Sequence, residues 1–494
     1  MKNIVAKVLC MTIITSISLV SCHNDLYLDP VSQISGSSFW KTPDDAKSGL
    51  NGMYVRLRDQ SATNFLLWGE ARSENQVPSF GIAYWTDFMF RNTLDRNSPG
   101  PVWQGMYTII HDANLIIKYV PDINFGSESE KNNILAQAYA TRAFVYFVLT
   151  RTWGDLPLAT EPFEAYSAEI VQRGRSSQAD VFTLIKSDID EALNLFPDNR
   201  LGTRNYWSKP ATYALKADVN LWTAKRNGGG NADLNIALEA LNNAETGDVV
   251  LLNNFADIFD YENKGNQEIL MSITFKYLES GQTYHNEMYM TGGYWPSPDE
   301  LDDETIEAVG ALGGQPYYQI SPEVRKYFSD DDQRKKASYI DVYKYDESGD
   351  KTYYCNLPCK FNGTVINGVR YFYDDIVLYR YADILLMRAE VKNALGQDPS
   401  SDINKIRERA YGDNYSTHVF VNGSKEDNDV VILRERLLEF VLEGKYWWDL
   451  IRFDQVFELV PSLVGKSSNR YLLLWPISLT TLSLEPNVQQ NPGW

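Results

Sequence analysis

The chain has 494 residues, 44% apolar and 22% charged, which describes a globular protein with room for several cores or one large helical array and excludes a disordered one. Its formal charge is −19, and loss of the first 21 residues, which hold Lys2 and Lys7 and no acid, leaves −21. A field of that sign repels phosphate, and no Lys/Arg-rich block offsets it, so nucleic acid is excluded as a partner.

The chain opens with an address. Lys2 and Lys7 form a short positive region, and Val8 to Val20 is a mostly apolar stretch too short to span a bilayer comfortably. It ends in Leu19-Val20-Ser21-Cys22, a bacterial lipobox pattern in which a thiol takes diacylglycerol and small residues admit the peptidase. Residues 1–21 are therefore expected to be a lipoprotein signal peptide, with Cys22 as the acylated first residue of an anchored, non-spanning protein. Beyond Cys22 only Cys355 and Cys359 remain. A local Cys355–Cys359 disulfide suits an exported protein, with two free thiols as the alternative. His23, His111, His285 and His418 stand at no ligand spacing to them, so no metal or other cofactor is expected.

Helix-start signals follow in order. Thr42-Pro43-Asp44-Asp45, Ser127-Glu128-Ser129-Glu130 and Ser177-Gln178-Ala179-Asp180 each place a capping hydroxyl before an acid. After the third, Val181, Leu184, Ile185, Ile189, Leu193 and Phe196 share one helical face. The pattern predicts helices near 43–59, 102–119, 128–151, 177–195, 209–226, 232–246, 374–396, 400–411 and 429–447. Small–large pairs such as Ala140/Phe144, Ala143/Phe147, Ala217/Leu221 and Ala382/Leu386 suggest tetratricopeptide-like helix pairs, although no 34-residue period is visible.

Residues 254–373 differ in character, with 15 of the 31 tyrosines in about a quarter of the chain. Turn signals recur at Gly292-Gly293, Gly313-Gly314, Ser348-Gly349, Asn362-Gly363 and Asn367-Gly368, and Asn362-Gly363 before Val365-Ile366 predicts a short hairpin. Residues 60–100 form a second aromatic stretch, with Trp68, Phe80, Tyr84, Trp85, Phe88 and Phe90.

The most specific motifs lie in the C-terminal third. They are Tyr381 to Glu390 (YADILLMRAE), Asn393-Ala-Leu-Gly396, Arg434-Glu435-Arg436, Glu443-Gly-Lys-Tyr-Trp447 with Asp449 and Arg452, Leu474-Trp475-Pro476-Ile477, and the closing Asn491-Pro492-Gly493-Trp494. Upstream, Trp103, Tyr107, Asn114 and Trp153-Gly154-Asp155-Leu156-Pro157-Leu158 fit the same picture. This ordered set resembles the SusD/RagB family of Bacteroidetes outer-membrane lipoproteins over nearly the whole mature chain, least so over 60–100 and 254–373. The resemblance implies a mainly α, tetratricopeptide-like scaffold with inserted loops and short strands. It divides the chain into a helical region 22–253, an aromatic-rich variable insertion 254–373 and a helical region 374–494. It also implies a cell-surface protein without catalysis, which captures an oligosaccharide, or a peptide in the RagB branch, and passes it to a SusC-like TonB-dependent transporter.

Arg434, Glu435, Arg436, Glu439 and Glu443 look like catalytic charges but read better as an ion-pair network joining helices. Asp155 likewise reads as a turn or capping acid. A pyranose ring presents C–H faces that stack on Tyr or Trp, with polar side chains taking its hydroxyls. Tyr84-Trp85 with Asp87, and Tyr289 with Tyr294-Trp295, are the candidate ligand-binding residues, set against the alternative of core aromatics that anchor loops. A glycoside hydrolase would need two carboxylates in one cleft, which 65 acids always permit. Residues 299–307 are acidic but lack the order of a calcium loop and read as a solvated turn.

Overall fold

The computed structural model describes residues 39–80, 86–164 and 172–494. The signal peptide, Cys22, Tyr84 and Trp85 lie outside those residues. Helices form where the caps announce them. Thr42 and Asp45 make a reciprocal capping box ahead of α1 (Pro43–Gln60), and α2 (Leu66–Glu70) follows through a π-helical turn. Strand β1 (Gln76–Pro78) and a one-turn helix α3 (Asp87–Phe90) precede α4 (Gln104–Tyr119). Ser127 caps α5 (Glu128–Trp153) and Ser177 caps α6 (Gln178–Leu195), each hydroxyl accepting a backbone N–H three residues on. Asp155 accepts the N–H of Gln178, the first residue of α6, at 2.9 Å, which is a capping role reached from a distant loop. α7 (Lys209–Arg226) and α8 (Gly230–Ala244) are joined by a short turn and pack along each other.

The aromatic-rich stretch supplies most of the strands. β2 (Ile269–Ile273), helix α9 (Asp303–Val309) and β3 (Tyr318–Ile320) lead to two short helices, α10 (Pro322–Arg325) and α11 (Gln333–Ser338). The hairpins β4/β5 (Tyr339–Tyr345, Lys351–Pro358) and β6/β7 (Thr364–Ile366, Val369–Tyr371) come next, followed by β8 (Ile376–Arg380). All pairings are antiparallel: β1 with β3, β2 with β8, β4 with β5 and β6 with β7. The chain closes with α12 (Tyr381–Ala394), α13 (Ser400–Tyr411), α14 (Lys425–Phe440), α15 (Tyr446–Arg452), α16 (Val456–Leu459) and α17 (Leu479–Leu484).

One hydrophobic core takes side chains from Ala46 to Val488, and the small–large pairs Ala140/Phe144, Ala143/Phe147, Ala217/Leu221 and Ala382/Leu386 are all buried in it. The family motifs act as ties between distant segments. Tyr107 donates to the Pro157 carbonyl at 2.7 Å and Asn114 to that of Ala159 at 3.0 Å, while the Asn491 amide spans the Trp153 and Trp475 carbonyls at 3.0 Å each.

Four sequence expectations are corrected. Residues 376–380 are a strand, because the apolar run Ile-Val-Leu-Tyr pairs with β2 before α12 begins. The helix expected over 429–447 ends at Phe440, and Leu442 and Gly444 then take positive φ of 68° and 71°. The break lets α2 approach, since a Cβ on Gly69 would stand 1.7 Å from the Gly444 carbonyl oxygen. The hairpin turns at Asn367-Gly368, whose φ values of 52° and 81° match a type I′ turn. Gly363 serves a different purpose, because a Cβ there would lie 2.1 Å from the Tyr371 oxygen. Finally, Cys355 and Cys359 are free thiols. Cys355 lies in extended β5, and four extended residues span roughly 13 Å, beyond disulfide reach.

The charged residues of α14 form a buried lattice. Arg380 contacts Glu268 at 2.8 Å, Glu439 at 2.6 Å and Glu443 at 2.8 Å, and all four side chains are fully buried. Arg334 joins Asp332, Glu435 and Glu439, and Lys360 joins Glu443 at 2.6 Å. Arg436 pairs with Asp449 at 2.8 Å. Arg434 alone departs from the expected network, standing exposed over the Tyr327 ring. Sealed carboxylates such as Glu439 meet no substrate. The acidic stretch 299–307 is also structural: Asp302 caps α9 and pairs with Lys351 at 2.6 Å.

Asp374 gives a pH-dependent prediction. It is buried, accepts the Gly363 N–H at 2.8 Å, and burial pushes its carboxyl up to about 7 from 3.8. Between these values the folded protein holds a proton that the unfolded chain has lost, so this stabilisation is present at pH 4 and disappears as pH rises to 7. Asp374→Asn is therefore expected to gain melting temperature relative to the parent between pH 5 and pH 8. A difference that stays constant with pH would contradict the assignment.

Candidate functional site

The strands bring the two aromatic stretches together. Beyond the β1–β3 ladder, Ser79 and Phe80 continue the pairing, donating to the Tyr317 and Pro316 carbonyls at 2.8 and 3.1 Å. Past residues 81–85, the Thr86 hydroxyl lies 2.6 Å from that of Tyr318, whose ring stacks on Phe90 at 4.0 Å. Both flanks of the segment carrying Tyr84 and Trp85 are thus tied to residues 316–318. β5 is locked beside β3 by Asn356, which accepts the Ile320 N–H and donates to the Ile320 carbonyl, both at 3.0 Å.

On this frame three rings form a layered platform. Phe80 stacks on Tyr354 of β5 with centroids 4.6 Å apart, and on Tyr294 at 6.2 Å. The Tyr354 hydroxyl donates to the Tyr294 carbonyl at 2.9 Å, which fixes the loop to the hairpin. Tyr294 is 41% exposed and offers its ring to solvent. Lys344 of β4 places its ammonium 5.2 Å from the Tyr354 centroid. Burial raises the Tyr354 phenol above its ordinary value, so it stays a neutral hydrogen-bonding group. Aromatic faces bordered by hydroxyl and ammonium donors can stack an apolar ring face and hydrogen-bond its rim.

The platform rests on a small second core of Tyr289, Met290, Leu301, Val309, Val342, Cys355, Leu357 and Phe372. This corrects the expectation for Tyr289. It is fully buried, and its hydroxyl donates to the Val309 carbonyl at 2.8 Å, so its ring supports the loop and meets no ligand. Trp295 is half-buried and packs on the same core. Asp87 begins α3 and pairs with Arg91 at 2.8 Å. The structure therefore joins Tyr294 and Trp295 to the flank of Tyr84 and Trp85 through Phe80, and sends Tyr289 inward. Sequence reasoning missed Tyr354 and Lys344. The signal for them was the Ser348-Gly349 turn, which defines a hairpin whose alternation sends Tyr353 and Tyr354 to opposite faces.

Helix pairs around one core, short antiparallel strands and an aromatic surface on inserted loops describe a binding scaffold, and no helix among the described residues is long and apolar enough to cross a membrane. A profile described as the SusD family matches residues 198–494, and one described as "Starch-binding associating with outer membrane" matches residues 27–221. The chain belongs to the SusD family. It is 30% identical to SusD-like protein P38 of Formosa agariphila, with 96% of each chain covered. Its structure is similar to that of B. fragilis NanU, with a TM-score of 0.81 and 31% identity over 94% of this chain and all of that one. A SusD superfamily protein from Bacteroides vulgatus gives a TM-score of 0.83 at 31% identity, covering 92% of this chain and 100% of its own.

Proposed function

We propose that the protein is a cell-surface lipoprotein that captures oligosaccharide on the Phe80–Tyr354–Tyr294 platform and delivers it to a SusC-like TonB-dependent transporter, without catalysis. The observation that carries this reading is the stacked aromatic surface with an exposed tyrosine, joined through Phe80 to the segment holding Tyr84 and Trp85. The description of the second matched family, starch-binding and associated with the outer membrane, supports both the ligand class and the location. Tyr84, Trp85 and Asp87 are proposed to complete the site from the adjoining segment, with Trp295 at its edge. Calorimetry against a panel of oligosaccharides and peptides, with product analysis, tests the reading. Binding of a glycan without release of shorter products is expected. Binding of peptides alone would sink the glycan assignment, and product release would sink the absence of catalysis.

The anchor is proposed to be Cys22, on the lipobox that ends the signal segment. Cys22→Ala is expected to release the protein from the membrane fraction or block its processing, with an unchanged melting temperature for the folded body. A Cys22→Ala protein that stays firmly membrane-bound would contradict the lipid anchor.

A further inference from the structure

A second group of aromatic rings lies apart from the loop platform, across the extended segment 371–373. Phe372 packs into the small core beneath the platform, its ring centroid 5.6 Å from that of Tyr289, whereas Tyr371 and Tyr373 pack against the main core. The Tyr371 and Tyr373 rings run nearly parallel, 21° apart in plane with centroids at 6.2 Å. Tyr277 closes over the pair, 6.1 Å from the first and 5.7 Å from the second, and tilted by 48° and 67° to them. Lys264 adds a fourth ring to the group: its ammonium sits 4.2 Å from the Tyr261 centroid and donates to the Tyr373 carbonyl at 2.6 Å. Burial, together with the neighbouring Tyr277, Tyr371 and Tyr261, raises the Tyr373 phenol above its ordinary value, so it stays protonated. We propose that these four tyrosines form a second saccharide-contact site, in which a sugar ring lays its C–H face on the aromatic group and its hydroxyls bond the phenol oxygens.

The inference rests on the reading of the protein as an oligosaccharide binder and adds a site that the platform does not include. Two observations favour that ligand. The hydroxyls of Tyr261, Tyr277, Tyr371 and Tyr373 all reach solvent, and none is engaged by another described residue. Each can donate one hydrogen bond and accept others, which a polyhydroxylated ligand uses at its rim and an apolar protein contact does not need. The apolar part of the surface is also open. Tyr277 is 38% exposed, Leu278 beside it is 84% exposed, and Val369, two residues before Tyr371 on the same face of β7, is 44% exposed. The lysines next to the rings are matched, Lys264 by Asp375 at 3.1 Å and Lys276 by Glu279 at 2.7 Å. Rings with hydroxyls at their edges are the chemistry that stacks a pyranose and orients it.

The test uses the purified mature protein with maltohexaose, cellohexaose, laminarihexaose and mannohexaose in turn. Carbene footprinting read by mass spectrometry locates contact, and calorimetry gives affinity. At least one sugar is expected to protect residues 276–279 and 369–373. That protection, with binding weaker than the parent's, should persist in the Tyr294→Ala, Tyr354→Ala double variant, which lacks the platform. Adding Tyr277→Ala to the double variant should lower the remaining affinity by about fivefold or more, with little change in melting temperature because the ring is exposed. Tyr371→Phe with Tyr373→Phe keeps both rings packed and removes only hydroxyls that bond nothing in the fold. It should weaken binding at an unchanged melting temperature, which a purely structural role would not produce, and it decides the matter if the Tyr277 variant fails to fold. A sugar that protects the platform but never residues 276–279 and 369–373, or binding undiminished in these folded variants, would overturn the second site and leave the platform reading standing. Binding of none of the four sugars to the parent would overturn both.

Discussion

Replacing Arg380 with methionine is expected to lower the unfolding free energy by about 3–5 kcal/mol, because it strands buried carboxylates without their cation. Arg380 makes five contacts with charged or carbonyl oxygens of Glu268, Glu439 and Glu443 between 2.6 and 3.1 Å. The pH response should change as well. Burial alone would raise the Glu439 carboxyl, but Arg409, Arg380 and Arg334 outweigh it and hold the group well below the usual carboxylate range. Glu443 is held down in the same way by Arg380, Lys360 and Lys445. Carboxyls depressed in the folded state stabilise above the unfolded value near 4.5 and lose that contribution as pH falls through the folded one. Parent stability should therefore drop steeply below pH 4, and the Arg380→Met curve should be shallower there. Urea midpoints at pH 7 and pH 3 measure both effects. Lys326→Ala is the control, since its pair with Glu323 is about two-thirds exposed on both sides and should matter by less than about 1 kcal/mol. An Arg380→Met protein within 1 kcal/mol of the parent would refute the lattice as a structural keystone.

Truncating Tyr294 and Tyr354 is expected to weaken glycan binding while sparing the helical body. Each stacked ring should contribute about 1–3 kcal/mol of binding through the apolar area it covers. That corresponds to about fivefold to more than a hundredfold in affinity for each substitution. Tyr294→Ala removes a ring that is 41% exposed, so its melting temperature should barely move. Tyr354→Ala also removes the hydrogen bond to the Tyr294 carbonyl and should loosen the loop, with a modest stability loss. Tyr289→Ala behaves differently, because emptying a fully buried position costs about 3–5 kcal/mol. Calorimetric titration beside thermal melting separates the three. Normal glycan affinity in a folded Tyr294→Ala, Tyr354→Ala double variant would move the site away from this platform.

Much of this protein was legible in the sequence because its causes are local. Thr42, Ser127 and Ser177 mark helix starts since a hydroxyl there satisfies N–H groups within three residues. The Ala/Phe and Ala/Leu pairs foretell buried faces since helical spacing stacks them. The charge and the family motifs are likewise properties of the chain itself. Where causes are distant, sequence reasoning went astray. Ile376 to Arg380 became a strand only because β2 lies alongside, and α14 stops at Phe440 because the backbone at Gly444 must admit Gly69. Cys355 and Cys359 are close in sequence, but an extended strand holds them apart. The site shows the same division. Composition marked the two aromatic stretches, yet the pairing of β1 with β3 and of β4 with β5 decided which rings meet. Tyr289 and Tyr294 stand five residues apart in one loop, and only the core beneath it determines that the first faces inward and the second faces solvent.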